Sequence, residues 1–317
     1  MKGIVYKSTG SWYEVKAEDG VFYSCRIQGR FRLGGIRSTN PVAVGDRVVF
    51  KIDSKGEENT GIITAIKPRD NYIIRRAVNL ARESHIIAAN VDTAFLLVTL
   101  NNPVTFPIFI DRFLVTAEAY GIRAVLLFNK SDSYNEDELN EINELTDLYE
   151  SVGYTCLQLS ALTGMNLEKL KELMKGKVSV FAGHSGTGKS TLVNKLEPGL
   201  DLKTSEISER HLQGQHTTTF AQMFDLSFGG KIIDTPGIRG FGLVAMEREE
   251  IGDYFPEFLE LKSECRFNNC LHLNEPQCAV KKAVEEKRVS GSRYRSYLQI
   301  LEEETTQTYR RDLYEDL

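Results

Sequence analysis

No stretch of these 317 residues is apolar over anything near the roughly 18 residues that a membrane-spanning helix needs. The opening MKGIVYKSTG lacks the apolar core of a secretory signal. A cytoplasmic location is therefore expected, with no membrane partner. Low-complexity tracts are absent, and apart from two nucleotide-type signatures there is no internal repeat. Cysteine is scarce: there are five, three of them between 265 and 278. In a reducing compartment that clustering argues for a metal rather than a disulfide framework. What remains is an ordinary soluble composition, 41% hydrophobic and 26% charged, on a chain long enough for two or three domains.

Charge is unevenly spread. Residues 1–69 hold 12 Lys/Arg against 7 Asp/Glu, a balance of +5, and the other 248 hold 27 against 37, a balance of −10. A basic module on an acidic chain suits a polyanion such as RNA. A solvated basic surface fits the charge count equally well.

Residues 1–68 read as a small β-barrel. GIVYK, WYEVKA, VFYSCRI, DRVVFKI and GIITAI are rich in β-branched and aromatic residues, with Gly, Asn and Asp between them. Five short strands suit an OB-fold, an architecture that often binds oligonucleotides; an SH3-like barrel competes with it. Arg26, Arg30, Arg32, Arg37 and Arg47 lie on or near the connection GRFRLGGIRSTNP, which would gather the charge on one side. KPRDN at 67–71 reads as a linker.

From about residue 72 to 242 strands alternate with helices, the pattern of a parallel α/β sheet. VDTAFLLVTL and RAVLLF are buried-type strands, PIFIDRFLVTAEAYG is a helix ending at Gly121, and 136–151 is an acidic helix. Residues 243–317 turn helical and irregular, and GSRYRSYLQILEEETTQTYRRDLYEDL reads as one long amphipathic helix.

The α/β segment carries a nucleotide site. GHSGTGKST (Gly183, His184, Ser185, Gly186, Thr187, Gly188, Lys189, Ser190, Thr191) has phosphate-loop spacing, with strand VSVFA before it and helix STLVNKL after it. Glycines let the backbone wrap a phosphate, and successive N–H groups with the helix N-terminus stabilise its charge. Lys189 is expected on the β- and γ-phosphates and the Ser190 hydroxyl on Mg²⁺. In DTPG, Asp234 is placed to hold Mg²⁺ through water and Gly237 to sense the γ-phosphate. NKSD selects the base. The Asp132 carboxylate accepts from guanine N1–H and N2–H₂, a pair adenine cannot offer, while Asn129 braces the loop, the Lys130 stem covers the base, and Ser131 completes the motif. Ser160 and Ala161, in SAL, suit a backbone contact to guanine O6.

These parts are those of a Ras-like GTPase in the wrong order. Starting at 177, running to about 242, then jumping to 90 and continuing to 176 restores the usual one. The chain is a circular permutation, tolerable where the old termini lie close together. Its consequence is that the segment sensing γ-phosphate leads directly into the C-terminal region, so nucleotide state is expected to act on that region.

Hydrolysis needs a residue that orients water. Ras-type enzymes use a Gln after D-x-x-G; Ile238 stands there and cannot. GQHTTTF at 214–220 lies where the first switch belongs. One of Thr217, Thr218 or Thr219 should close on Mg²⁺, with Thr218 favoured, and His216 is placed to position or deprotonate water. His184 is a weaker alternative.

Cys265-x₄-Cys270-x-His272-x₅-Cys278 offers three thiolates and an imidazole, a closed tetrahedral set suited to structural zinc. Cys25 and Cys156 read as buried strand thiols.

A barrel, then NKSD, SAL, GHSGTGKST, HTTT, DTPG followed by Ile, and the Cys/His set resembles the RsgA (YjeQ) family of small ribosomal subunit biogenesis GTPases, along essentially the whole chain. The resemblance implies an OB-fold, a permuted GTPase domain and a zinc-binding domain. It also implies action late in 30S maturation, contacts to 16S rRNA, hydrolysis stimulated by the subunit, and a catalytic role for His216. Nothing in the sequence demands more than a monomer. Two other functions remain open: a GTP-gated RNA-binding scaffold, and a translation-factor GTPase acting on mature ribosomes.

Overall fold

The computed structural model describes residues 1–27, 41–53, 58–76, 84–200, 221–234 and 246–315. The chain forms two compact units, Met1–Phe95 with Gly164–Ala182 and Gly188–Gly240, and Leu96–Thr163 with Gly183–Thr187 and Phe241–Leu317.

The first unit opens with β1 (Lys2–Ser8), β2 (Tyr13–Ala17), β3 (Phe22–Ile27), β4 (Arg47–Ile52) and β5 (Thr60–Ile66). Their order is β1-β2-β3-β5-β4, and β4 closes back on β1. The β3–β5 pair is parallel and the others antiparallel. That crossed order makes a Greek-key barrel of the OB type, a point that counting strands could not decide. Side chains alternate: Tyr13, Val15 and Ala17 are buried while Glu14 is exposed. They meet Val5, Cys25, Phe50 and Ile63 in the barrel core.

KPRDN carries no helix or strand, yet it is fixed in place. Arg69 grips the buried Asp46 carboxylate with two bonds of 2.6 and 2.7 Å and donates to the Pro41 carbonyl at 2.8 Å. The Asn71 amide pairs both ways with the Val91 backbone at 2.8 Å. A hairpin follows, β6 (Tyr72–Arg76) against β7 (Ser84–Ala89). The sequence hides it because residues 77–83, AVNLARE, contain no glycine or proline to signal a turn.

The unit ends in a sheet that is continuous with the barrel. β11 (Val178–Ala182) runs parallel to β13 (Lys231–Asp234), β13 pairs antiparallel with β12 (Gln222–Asp225), and β12 pairs with β1 at Lys7↔Gln222. Asp225 fastens this junction, accepting from Tyr6 Oη at 2.7 Å and Lys16 Nζ at 2.5 Å. Helices α3 (Leu167–Met174) and α4 (Lys189–Leu196) complete the unit.

β8 (Thr93–Val98) starts in the first unit and ends in the second. There it stands next to β9 (Arg123–Phe128), which pairs in parallel with β10 (Thr155–Gln158). Helix α1 (Pro107–Tyr120) begins on a proline and ends at Gly121 in the left-handed region. In α2 (Glu136–Ser151), Asn135 and Glu138 form a reciprocal capping box, and three acidic residues in the first turn suit the helix dipole. The C-terminal part holds α5 (Pro256–Lys262), α6 (Ala279–Glu285) and α7 (Gly291–Glu315). Phe255, Phe258, Tyr297 and Ile300 build its core and reach Val115 of α1. The fully buried Arg293 of α7 bonds Asp111 of α1 at 2.7 Å and Glu257 of α5 at 2.8 and 3.0 Å.

Candidate nucleotide site and metal centre

The buried strand β9 delivers Asn129 to the edge of the second unit's sheet. Its side chain donates to the Thr187 carbonyl at 2.7 Å and accepts from the Ala161 N–H at 2.9 Å, while its own N–H bonds Val98. One amide thus joins the end of the phosphate loop to SAL and to NKSD. Lys130 turns through the left-handed region (φ 69°) and places its ammonium on the Asn102 carbonyl. Asp132 is exposed. Ser160 is buried and folds the SAL turn by accepting from Thr163 N–H at 3.0 Å. The Ala161 N–H of SAL is engaged by the Asn129 side chain.

Gly183–Thr187 belongs to this unit. Gly183 has φ 137°, and a Cβ on it would lie 2.8 Å from the Leu97 carbonyl, so only glycine lets the loop pass so close to β8. Thr187 is buried and ties the loop on itself through His184 O at 2.9 Å. Ser185 and Gly186 stand exposed at the crest. The His184 ring packs at a tilt of 31° against Phe109 of α1 with centroids 3.9 Å apart, a contact with no signature in the sequence.

In the first unit, Gly188 (φ 97°) is the residue from which α4 starts, so Lys189, Ser190 and Thr191 form the helix's opening turn. Asp234 ends β13. It lies two residues beyond Ile232, which pairs with Ser179 of β11. Burial pushes its carboxyl above the ordinary value; a cation beside it would reverse that shift. His216, Thr217, Thr218, Thr219, Gly237 and Ile238 lie outside the described residues.

The metal-ligating set converges. The ligand atoms of Cys265, Cys270, His272 and Cys278 all lie within 4.8 Å of one another, and all four residues are buried. His272 Nδ1 is 3.7 Å from Cys265 Sγ and 3.3 Å from Cys278 Sγ. A tetrahedral zinc with bonds of about 2.0–2.3 Å needs ligand edges of roughly 3.5–3.8 Å, so the residues fit that ion. Around them, Tyr294 and Tyr297 of α7 hold the His272 and Leu271 carbonyls at 2.6 Å, and Glu275 accepts from the Leu271 and Leu273 N–H groups. Burial, with the neighbouring thiols, pushes the Cys270 thiol up to about 12, and burial lowers His272, keeping the imidazole neutral. A metal ion would bind by displacing the thiol protons.

Cys25 is buried in the barrel, whereas Cys156, expected to be buried, is only half covered; burial pushes both thiols up to about 12. Of the five barrel arginines, Arg26 lies 3.9 Å over the exposed Trp12 ring and Arg47 pairs with Asp70, while Arg30, Arg32 and Arg37 lie outside the described residues. No helix among the described residues is long and apolar enough to cross a membrane.

Comparison with known proteins joins these parts. The profile described as RsgA GTPase matches residues 66–244, and that described as RsgA N-terminal domain matches 2–63. A small ribosomal subunit biogenesis GTPase RsgA from Christiangramia forsetii is 64% identical over 315 residues, covering 99% of this chain and 100% of its own length. The protein of that name from Flavobacterium psychrophilum is 60% identical over 316 residues, covering 100% and 97%. The crystal structure of YjeQ from Thermotoga maritima superposes with a TM-score of 0.79 at 37% identity, over 96% of this chain and 98% of that one. YloQ, described as a circularly permuted GTPase, gives 0.75 at 30% identity, over 96% and 95%.

Proposed function

The chain belongs to the RsgA GTPase family and hydrolyses GTP to GDP and phosphate, and from that premise we propose that it assists late maturation of the 30S ribosomal subunit in the cytoplasm, with hydrolysis stimulated by the subunit. It acts as a monomer with three working parts. Residues 1–68 form the rRNA-binding barrel, 72–242 the permuted GTPase domain, and 243–317 the zinc-binding domain. The exposed Trp12 with Arg26 stacked on it supports 16S rRNA binding, since aromatic and guanidinium planes suit unpaired bases.

In this reading Asp132 selects guanine, with Asn129, Lys130, Ser131, Ser160 and Ala161 shaping the base site. Gly183–Thr191 wrap the phosphates, Ser190, Thr218 and Asp234 hold Mg²⁺, Gly237 senses the γ-phosphate, and His216 positions the attacking water. One zinc, held by Cys265, Cys270, His272 and Cys278, organises the C-terminal part. The observation that carries the nucleotide assignment is the Asn129 side chain, which joins phosphate loop, SAL and NKSD in one unit.

The test is the GTPase rate of wild type and His216→Ala with and without isolated 30S subunits. Wild type should accelerate with 30S. The variant should bind GTP normally and turn over far more slowly, by the 10²-fold or more that a water-positioning group typically supplies. Equal turnover in the two proteins would remove His216 from the mechanism, and wild-type rates indifferent to 30S would remove the subunit.

A further inference from the structure

Asp132 can read guanine only while its loop holds still, and a residue outside the motif holds it. Tyr134 follows NKSD by two positions and is buried. Its hydroxyl donates to the Asn129 carbonyl at 3.0 Å and accepts from the Leu100 N–H at 3.1 Å. One phenol therefore joins the first residue of the base loop to the chain leaving β8.

The surroundings make the same connection. Asn101 donates to Glu138, the capping-box partner of Asn135 in α2, at 2.6 Å, and Lys130 reaches the Asn102 carbonyl. Within the loop, Ser133 bonds the Lys130 carbonyl through both N–H and Oγ, and Ser131 N–H bonds Leu159. Asp132 is the exposed tip of this frame. Burial pushes the Tyr134 phenol above its ordinary value, so it stays protonated and able to donate.

A carboxylate that reads two adjacent donors must be held to within a fraction of an ångström, which is the task of the groups behind it. We propose that Tyr134 is a positioning residue for guanine recognition: its hydroxyl locks the Asn129–Asp132 loop to Leu100 and so sets the enzyme's preference for a base carrying the 2-amino group. The inference rests on the reading of Asp132 as the acceptor for guanine. The sequence conceals it, since Leu100 and Tyr134 meet only in the fold, and Tyr134 stands where a core aromatic would also stand.

Full-length Tyr134→Phe keeps the ring and removes the hydroxyl, leaving a buried carbonyl and a half-buried N–H without that partner. The Kd for GDP and the KM for GTP should rise about tenfold, with kcat unchanged. ITP lacks the 2-amino group and draws less on Asp132, so it should lose less, and the preference for GTP over ITP should narrow. Unchanged KM and preference would overturn the proposal, as would equal losses for GTP and ITP, which mark a general loosening. Asp132→Asn separates the two readings: its amide should favour XTP, whose 2-carbonyl accepts from it. If Asp132→Asn still prefers GTP, the guanine assignment fails. If it switches while Tyr134→Phe behaves as wild type, Tyr134 alone is misassigned. Should Tyr134→Phe not fold, hydrogen exchange on wild type decides: GDP should protect the Leu100 amide together with Asn129–Asp132, and protection of the loop without Leu100 refutes the link.

Discussion

Arg293 shows how much a single residue can carry. Its side chain is fully buried between two carboxylates, with its guanidinium 4.7 Å over the Phe255 ring and Tyr149 donating to the same Asp111. Desolvation disfavours its charge, but Asp111 and Glu257 more than offset that and hold Arg293 above its ordinary value. Arg293→Met should cost about 3–5 kcal/mol, because it leaves the buried Asp111 carboxylate and the largely covered Glu257 carboxylate uncompensated. Urea unfolding of the full chain measures this. Adding Asp111→Asn and Glu257→Gln should recover most of the loss, since an ion cluster replaced as a set is nearly neutral. None of this was legible in the sequence: GSRYRSY looks like a polar helix start, and Asp111 lies 182 positions away. The ligands Cys265, Cys270, His272 and Cys278 were legible, because their chemistry and their spacing coincide in one short segment.

At the scale of elements, the Cys/His cluster adjoins α6. Cys278 caps that helix, accepting from Lys281 N–H at 3.4 Å. Removing zinc with a strong chelator should therefore abolish amide protection across 265–285, read by hydrogen exchange, as metal and local folding are coupled. Zinc release should also become easier in acid, because protons compete for thiols that the metal-free fold already holds high. The β1–β12 junction carries a second pH dependence. Burial alone would raise the Asp225 carboxyl, but Lys16 and Tyr6 outweigh it and hold it below its ordinary 3.8. A depressed folded value contributes stability above the unfolded value and loses it as pH falls through the folded one. Wild type should thus lose Tm below about pH 4 more steeply than Asp225→Asn, which has no proton to gain there. Parallel acid limbs for the two proteins would show that Asp225 contributes nothing. Most elements were readable from pattern. β6 and β7 were not, because their connection lacks glycine and proline, and β12 was not, because four residues are too few to show a period.

For the molecule as a whole, permutation sets which segment follows DTPG. The chain leaves β13 at Asp234 and continues into the C-terminal helices, so the segment after DTPG and the zinc-binding part are one covalent run. In the second unit, α1 makes a further connection, packing Phe109 against His184 of the phosphate loop and bonding Arg293 of α7 through Asp111. Hydrogen exchange across 246–315 should consequently differ between the GDP form and a non-hydrolysable GTP form. Identical exchange would mean that nucleotide state does not reach these helices.

The sequence by itself determined the chemistry: phosphate loop, guanine loop, metal ligands, and the order that marks a permuted GTPase. Each of these is a short segment whose function resides in its own backbone and side chains, so nothing distant is needed to recognise it. The tertiary structure alone decided the crossed strand order that makes the barrel an OB-fold, the clamp of Arg69 on Asp46, the burial of Arg293 and the bridge from Tyr134 to Leu100. These depend on pairs far apart in the chain. Loop closure and packing bring such pairs together, and no local pattern records which partner a buried polar group will find.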